Sequence, residues 1–192
     1  MTGAVVHLFG FPGAGKLTVA RSLAVAAAER GRHLVVVDNH LTANAVLSVV
    51  DVPTAGRVPR EVWDRVDGVR EVVYGAIEDL SPASWSFAFT NVLTEHQPDD
   101  LATAERVELL AARRGARYLP VRLECRTDEL LRRVVGADRA ARLKWTDAGA
   151  VGEFVEERTL LDLPGRQVLA LDTSSTPPED VARSILDELD RG

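Results

Sequence analysis

At 192 residues, with 46% hydrophobic and 27% charged residues and only 9 prolines, the chain has the balance of an ordinary globular protein and the length for one core; two domains would each be marginal in size. Its longest apolar runs, such as 23–28, fall far short of the roughly 20 residues of a membrane-spanning helix. The net charge of -6 comes with no basic block of the kind that tracks a nucleic-acid backbone. One domain over residues 1–192 is therefore expected, with neither a membrane nor a nucleic acid as partner, and a monomer or homodimer as the assembly. The lone Cys125 can form no internal disulfide. The amino terminus lacks a basic segment, and its apolar stretch runs into a glycine loop rather than a cleavage site, which points to a cytoplasmic protein.

Five short apolar or β-branched runs read as strands: Ala4–Phe9, His33–Val37, Trp85–Leu93, Tyr118–Cys125 and Gln167–Leu171. Helical patterns lie between them. The first runs from Lys16 to Arg30, with Val19, Leu23 and Ala27 on one face and Gly31 supplying a left-handed terminus. The stretch 51–59, with Pro53, Gly56 and Pro59, reads as a mobile loop. A second helix places Val62, Val66, Val69, Val73, Ile77 and Leu80 on one face. Pro120 removes a ladder donor, so the fourth strand is expected to begin near Leu119. After it, Leu130, Leu131, Val134 and Val135 can pack, and 136–152 reads as irregular. The last helix opens on the capping-box spacing Thr176 to Glu179 and turns Val181, Ile185 and Leu189 inward. Strands that alternate with helices, the first and second of them nearly all apolar, indicate an α/β fold: a doubly wound, five-stranded parallel sheet in a three-layer sandwich.

The first strand leads into Gly10-Phe11-Pro12-Gly13-Ala14-Gly15-Lys16-Leu17-Thr18 and then directly into a helix. Glycines allow successive backbone N–H groups to turn inward around a polyphosphate, and the helix start adds positive potential. Lysine supplies a compact charge for the β- and γ-phosphates. Only Lys16 and Lys144 are lysine among 23 basic residues, so a lysine at the one place such a loop requires it is informative. The strict Walker A pattern has Ser or Thr directly after the lysine; here Leu17 stands there and Thr18 follows.

The segment 10–18 resembles the P-loop of the adenylate kinase-like small-molecule kinases, a superfamily that includes the shikimate, gluconate and chloramphenicol kinases. The resemblance implies ATP as nucleotide, bound by Gly10, Pro12, Gly13, Ala14, Gly15, Lys16, Leu17 and Thr18. It implies that Thr18 approaches phosphate and that Mg2+ is held largely through waters, with direct ligation by Thr18 left open.

The second strand ends in Val37-Asp38-Asn39-His40, which puts Asp38 at the carboxyl edge of the sheet, where open α/β folds bind ligands. A carboxylate there can accept the proton of an attacking hydroxyl or hold magnesium waters; equally, Asp38 or Asn39 can cap the next helix. The resemblance favours the base, because the shikimate, gluconate and chloramphenicol kinases carry an aspartate at the end of this strand. Asn39, His40, Arg70, Thr90 and Asn91 are candidate contacts for the acceptor. Beyond the fourth strand, arginines cluster around a glycine break. Arginines closing over a γ-phosphate would offset transition-state charge and exclude water, and the resemblance implies a lid over roughly 126–150, with Arg139 and Arg142 catalytic and Arg132, Arg133 and Lys144 as alternates. The same resemblance implies that Asp172-Thr173-Ser174-Ser175 lies near the adenine. The expectation is an ATP-dependent phosphotransferase acting on a small-molecule hydroxyl. A nucleoside monophosphate kinase and a nucleotide-binding module without phosphotransfer are the alternatives, whereas a regulatory GTPase is disfavoured because no Asn-Lys-x-Asp motif is present.

Overall fold

The computed structural model describes residues 2–51, 58–95, 97–136 and 147–191. Five strands, β1 (Ala4–Phe9), β2 (Leu34–Asp38), β3 (Ser86–Asn91), β4 (Arg117–Glu124) and β5 (Leu169–Asp172), form one sheet in the order β2-β3-β1-β4-β5, and each neighbouring pair is parallel. Parallel neighbours cannot be joined by hairpins, so helices make the crossovers. Among the described residues these helices are α1 (Lys16–Glu29), α2 (Asn39–Leu47), α3 (Arg60–Leu80), α4 (Pro98–Arg113), α5 (Thr127–Val134), α6 (Ala148–Glu156) and α7 (Pro178–Arg191). None of them is long and apolar enough to cross a membrane.

The alternation of side chains along β1 divides the core. Val6 and Leu8 pack with Val19, Ala20, Leu23 and Ala27 of α1 and with Val181, Ala182, Ile185 and Leu186 of α7. Val5, on the opposite face, packs with Tyr74 and Ile77 of α3 and with Val107, Leu110 and Ala111 of α4. A smaller cluster around Phe9 gathers Leu93, Ala104, Leu161 and Leu163. The result is the expected three-layer sandwich. Each fully buried leucine, isoleucine, valine or phenylalanine contributes about 1.5–3 kcal/mol relative to exposure.

Several boundaries differ from the sequence reading, each for a local reason. β4 starts at Arg117, ahead of Pro120, and β5 joins it only from Val121 onward. At Pro120 the strand thus has one open side, where a missing donor is tolerated. Leu80 is 81% exposed rather than inward, and Tyr74 takes up the sheet contact instead. That end of α3 is closed by Arg114, which donates to the carbonyls of Ile77, Ser81 and Pro82. Val135, one residue past α5, is also exposed. The irregular stretch expected over 136–152 contains the start of α6, because the Asp147 carboxylate accepts hydrogen bonds from the Gly149 and Ala150 amides at 2.8 and 3.1 Å and caps a helix. α7 begins at Pro178, with the Pro177 carbonyl accepting from the Asp180 and Val181 amides. The expected loop at 51–59 falls largely, and the central part of the lid at 137–146 entirely, outside the described residues.

Candidate functional site

The carboxyl ends of β1, β2 and β3 are in register. Leu8 of β1 and Asp38 of β2 both pair with Thr90 of β3. Asp38 therefore lies two strand spacings from β1, about 10 Å across the same edge, and the glycine loop starts two residues beyond Leu8. β1 departs into α1 on one face of the sheet and β3 departs into α4 on the other, so this edge is also where the connections diverge, the place at which open α/β sheets form a crevice.

The loop is held by close approach on two sides. At Gly10 a Cβ atom would lie 2.5 Å from the Leu123 carbonyl oxygen, and at Gly13, whose φ is +92°, it would lie 2.8 Å from that of Leu130. No side chain fits at either position. Gly15 is the N-cap of α1 and no side chain caps that end, so the first amides of the helix remain directed to whatever occupies the loop. The Lys16 ammonium donates to the carbonyls of Gly10 and Phe11 at 2.7 and 2.9 Å. Pro12 and Ala14 complete the turn, Leu17 is half-buried in the first helical turn, and Thr18 beside it is exposed.

Thr173, directly after β5, braces this loop. Its buried hydroxyl lies 3.1 Å from the Ala14 carbonyl oxygen and 3.0 Å from that of Glu124, and its amide donates to Glu124 at 2.8 Å. Next to it, the Asp172 carboxylate accepts from the Ser174 hydroxyl and amide, which hold its pKa below the usual carboxylate value. Arg133 of α5 donates to the Thr173 carbonyl at 2.7 Å, and one of its terminal nitrogens lies 3.8 Å from where a Cβ on Gly15 would sit. Arg132 points elsewhere. Its exposed guanidinium makes two hydrogen bonds to Glu129, and with help from Arg133 it lowers the Glu129 carboxyl to about 2. Of the alternates on α5, only Arg133 thus reaches the loop. Arg139, Arg142 and Lys144 lie outside the described residues.

On the β2 side, Asp38 occupies the N-cap position of α2 but its side chain makes no capping hydrogen bond. Instead its Oδ1 accepts from the Thr90 hydroxyl at 2.7 Å, and the Thr90 oxygen accepts from the Asn39 amide at 3.2 Å. The helix-capping reading of Asp38 is not what the side chain does. Asn39 Oδ1 accepts from Arg70 of α3 at 2.7 Å and from the Asn91 amide at 3.4 Å. Arg70, only 12% exposed, is also paired with Asp67 at 2.7 Å. Asp38, Asn39, Arg70, Thr90 and Asn91 are thus joined in one hydrogen-bonded group. The His40 ring lies 3.4 Å from Asn44 one turn along α2. Two members of the group were not evident from the sequence. His7 of β1 contacts Asn91 at 3.0 Å, and Tyr118 of β4 contacts His7 at 3.1 Å. The only signal for His7 was a polar residue in an otherwise apolar central strand.

No protein-family model matches the chain, and no curated protein matches it either. Solved structures do. A protein of Chloroflexus aurantiacus assigned as a kinase aligns with a TM-score of 0.68 and 19% identity, over 97% of this chain and 98% of that one. The APS kinase CysC of Mycobacterium tuberculosis, in complex with AMPPNP and APS, gives 0.60 and 16% identity, with 98% of each chain covered. The chain has the P-loop kinase fold. A gluconokinase from Sinorhizobium meliloti adds a TM-score of 0.58 at 14% identity, over 99% of this chain and 93% of that one. Within the P-loop kinase fold the glycine loop, Lys16 and the start of α1 form one wall of the crevice, and Asp38 with its hydrogen-bonded neighbours forms the other.

Proposed function

We propose that the protein is an ATP-dependent phosphotransferase that moves the γ-phosphate to a hydroxyl group of a small molecule. One observation carries this reading: a lysine-bearing phosphate loop and a carboxylate without a capping role stand about 10 Å apart on the same sheet edge, a gap suited to a terminal phosphate and an attacking hydroxyl between them. Phosphoryl transfer requires little covalent help from a protein; positioning and charge compensation dominate. In this reading the loop amides and Lys16 hold the β- and γ-phosphates, with the ammonium exchanging its carbonyl partners for phosphate oxygens. Asp38, oriented by the Thr90 hydroxyl, accepts the proton of the acceptor. Arg133 lies beside the loop to meet the nucleotide, and Arg139 and Arg142 are the residues proposed to close over the transferring group. Thr173 and Ser174 border the base.

Magnesium is implied by this chemistry. Among the described residues no three His, Cys, Asp or Glu side chains converge on a site for it. The donor set therefore fits a cation carried mainly by phosphate oxygens and water, reached by Asp38 through water and by the Thr18 hydroxyl from the first turn of α1. The cation would offset the charge of the phosphate oxygens.

The test is a screen of alcohols, sugars, metabolite acids, nucleosides and nucleotides for acceptor-dependent ADP release, with each product identified by mass spectrometry. A phosphorylated alcohol is expected. Transfer to nucleoside monophosphates alone would replace this reading with a nucleotide kinase, and nucleotide binding without any transfer would replace it with a binding module. Absence of calorimetric binding of every nucleoside triphosphate, with and without magnesium, would remove the enzymatic reading altogether.

A further inference from the structure

His7 is fully buried in the central strand, yet both of its ring nitrogens have polar partners: Tyr118 Oη lies 3.1 Å from Nδ1 and Asn91 Oδ1 lies 3.0 Å from Nε2. Val5 and Phe9, two residues to either side, fill apolar core at the corresponding places. An apolar side chain at position 7 would avoid the desolvation of an imidazole, an amide and a phenol. The polar row does not end in the core. Asn91 continues it to Asn39, and Asn39 Oδ1 accepts from Arg70.

Donor and acceptor roles along the row are mutually determined. Asn91 uses its NH2 group toward Asn39, so its oxygen must accept from His7, which makes Nε2 the protonated nitrogen. Nδ1 then accepts from the Tyr118 hydroxyl. We infer that Tyr118 and His7 are positioning residues for the acceptor side of the crevice: through Asn91 they set the orientation of the Asn39 amide and hence the place of the Arg70 guanidinium. The inference rests on reading the Asp38 edge as the acceptor side. Burial holds the imidazole neutral, with its pKa lowered to about 4 despite the opposing hydrogen bond to Asn91, so the same tautomer operates throughout the neutral range. The charges that act on Tyr118 are those of Glu108 of α4 and Arg166, which pair with each other at 2.7 Å. Arg70 is flanked by Asp67 on its own helix, which Arg106 of α4 approaches at 3.7 Å.

The experiment uses the full chain labelled with 15N-histidine and 15N-arginine, in which only 4 histidines must be assigned. Arg70→Lys identifies the Arg70 guanidinium signal. In the native protein the His7 ring is expected as a single neutral tautomer protonated at Nε2. Tyr118→Phe, which removes one oxygen atom, should reduce that tautomer bias and shift the Arg70 signal. His7→Leu should shift it further, and His7→Gln, which can still donate an amide N–H to Asn91, should restore it toward the native position. Should His7→Leu fail to fold, Tyr118→Phe and His7→Gln still decide the matter. An Arg70 signal unmoved by Tyr118→Phe, or a native His7 ring protonated at Nδ1, would overturn the inference. So would a loss of AMPPNP affinity in Tyr118→Phe, since that would show a disturbance spread beyond the acceptor side. These spectra need no ligand. Failure of the native protein to bind AMPPNP would therefore count against the phosphotransferase reading while the spectra still decide the role of the row.

Discussion

Lys16 and Asp38 stand on opposite walls of the crevice, and their substitutions should separate by what each wall binds. Lys16→Ala removes the one mobile cation of the phosphate loop and is expected to lower kcat by about 10²-fold or more, with nucleotide affinity falling as well. Asp38→Asn keeps the shape and the acceptor for the Thr90 hydroxyl but not the basicity. Loss of a general base typically costs about 10²–10⁴-fold in rate, so turnover should fall by that order while calorimetry shows unchanged ATP binding. Equal activity of Asp38→Asn and the native protein would take Asp38 out of the mechanism. The same residue scale explains why Asp38 could not be assigned from sequence alone. An aspartate before a helix is a common N-cap, and only the short contact to Thr90, 52 positions away, shows the side chain engaged across the sheet.

At the scale of elements, the glycine loop is a joint between β1, the end of β4, α5 and the segment after β5. Gly13→Ala would force a side chain into a left-handed conformation costing about 1–2 kcal/mol and against the Leu130 carbonyl besides. Both a lower Tm and weaker nucleotide binding are expected, measurable by thermal unfolding and calorimetry. Thr173→Val deletes the hydroxyl that bridges Ala14 and Glu124 while preserving shape, at a cost of about 1–3 kcal/mol for disrupting a buried hydrogen-bonded pair. Hydrogen exchange at the loop amides should then quicken relative to the amides of β1; unchanged exchange would mean that the strand ends alone hold the loop.

For the whole molecule, buried His7 makes stability depend on pH. Its pKa is about 6.5 in the unfolded chain and about 4 in the fold, so between these values the unfolded chain binds a proton that the folded chain does not. Stability therefore falls as pH falls through that window. At the lower end the loss amounts to about 3 kcal/mol, taking 1.36 kcal/mol per pKa unit. Urea unfolding at pH 7 and pH 4.5 should show a smaller acid destabilisation in His7→Gln than in the native protein, and an equal pH dependence in the two would exclude His7 as its source.

The division between what the linear chain revealed and what required folding follows from the range of the forces involved. The strand-loop-helix unit at the amino terminus, the five strands and the long helix 60–80 were legible because apolar periodicity, glycine and proline act over a few neighbouring residues. Leu80 was misread because a helical period does not reveal where packing ends, and at the last residue of α3 the side chain is exposed. The start of α6 lies within a stretch that reads as irregular, and the Asp147 cap that begins it is seen only in the folded chain. The polar row from Tyr118 to Arg70 had almost no sequence signal: its links span 111, 84, 52 and 31 positions. Sequence alone determined that a glycine-rich loop ending in a lysine opens an α/β sheet. Tertiary structure decided which polar groups face that loop, because hydrogen bonds between distant strands exist only once the sheet has brought their ends into register.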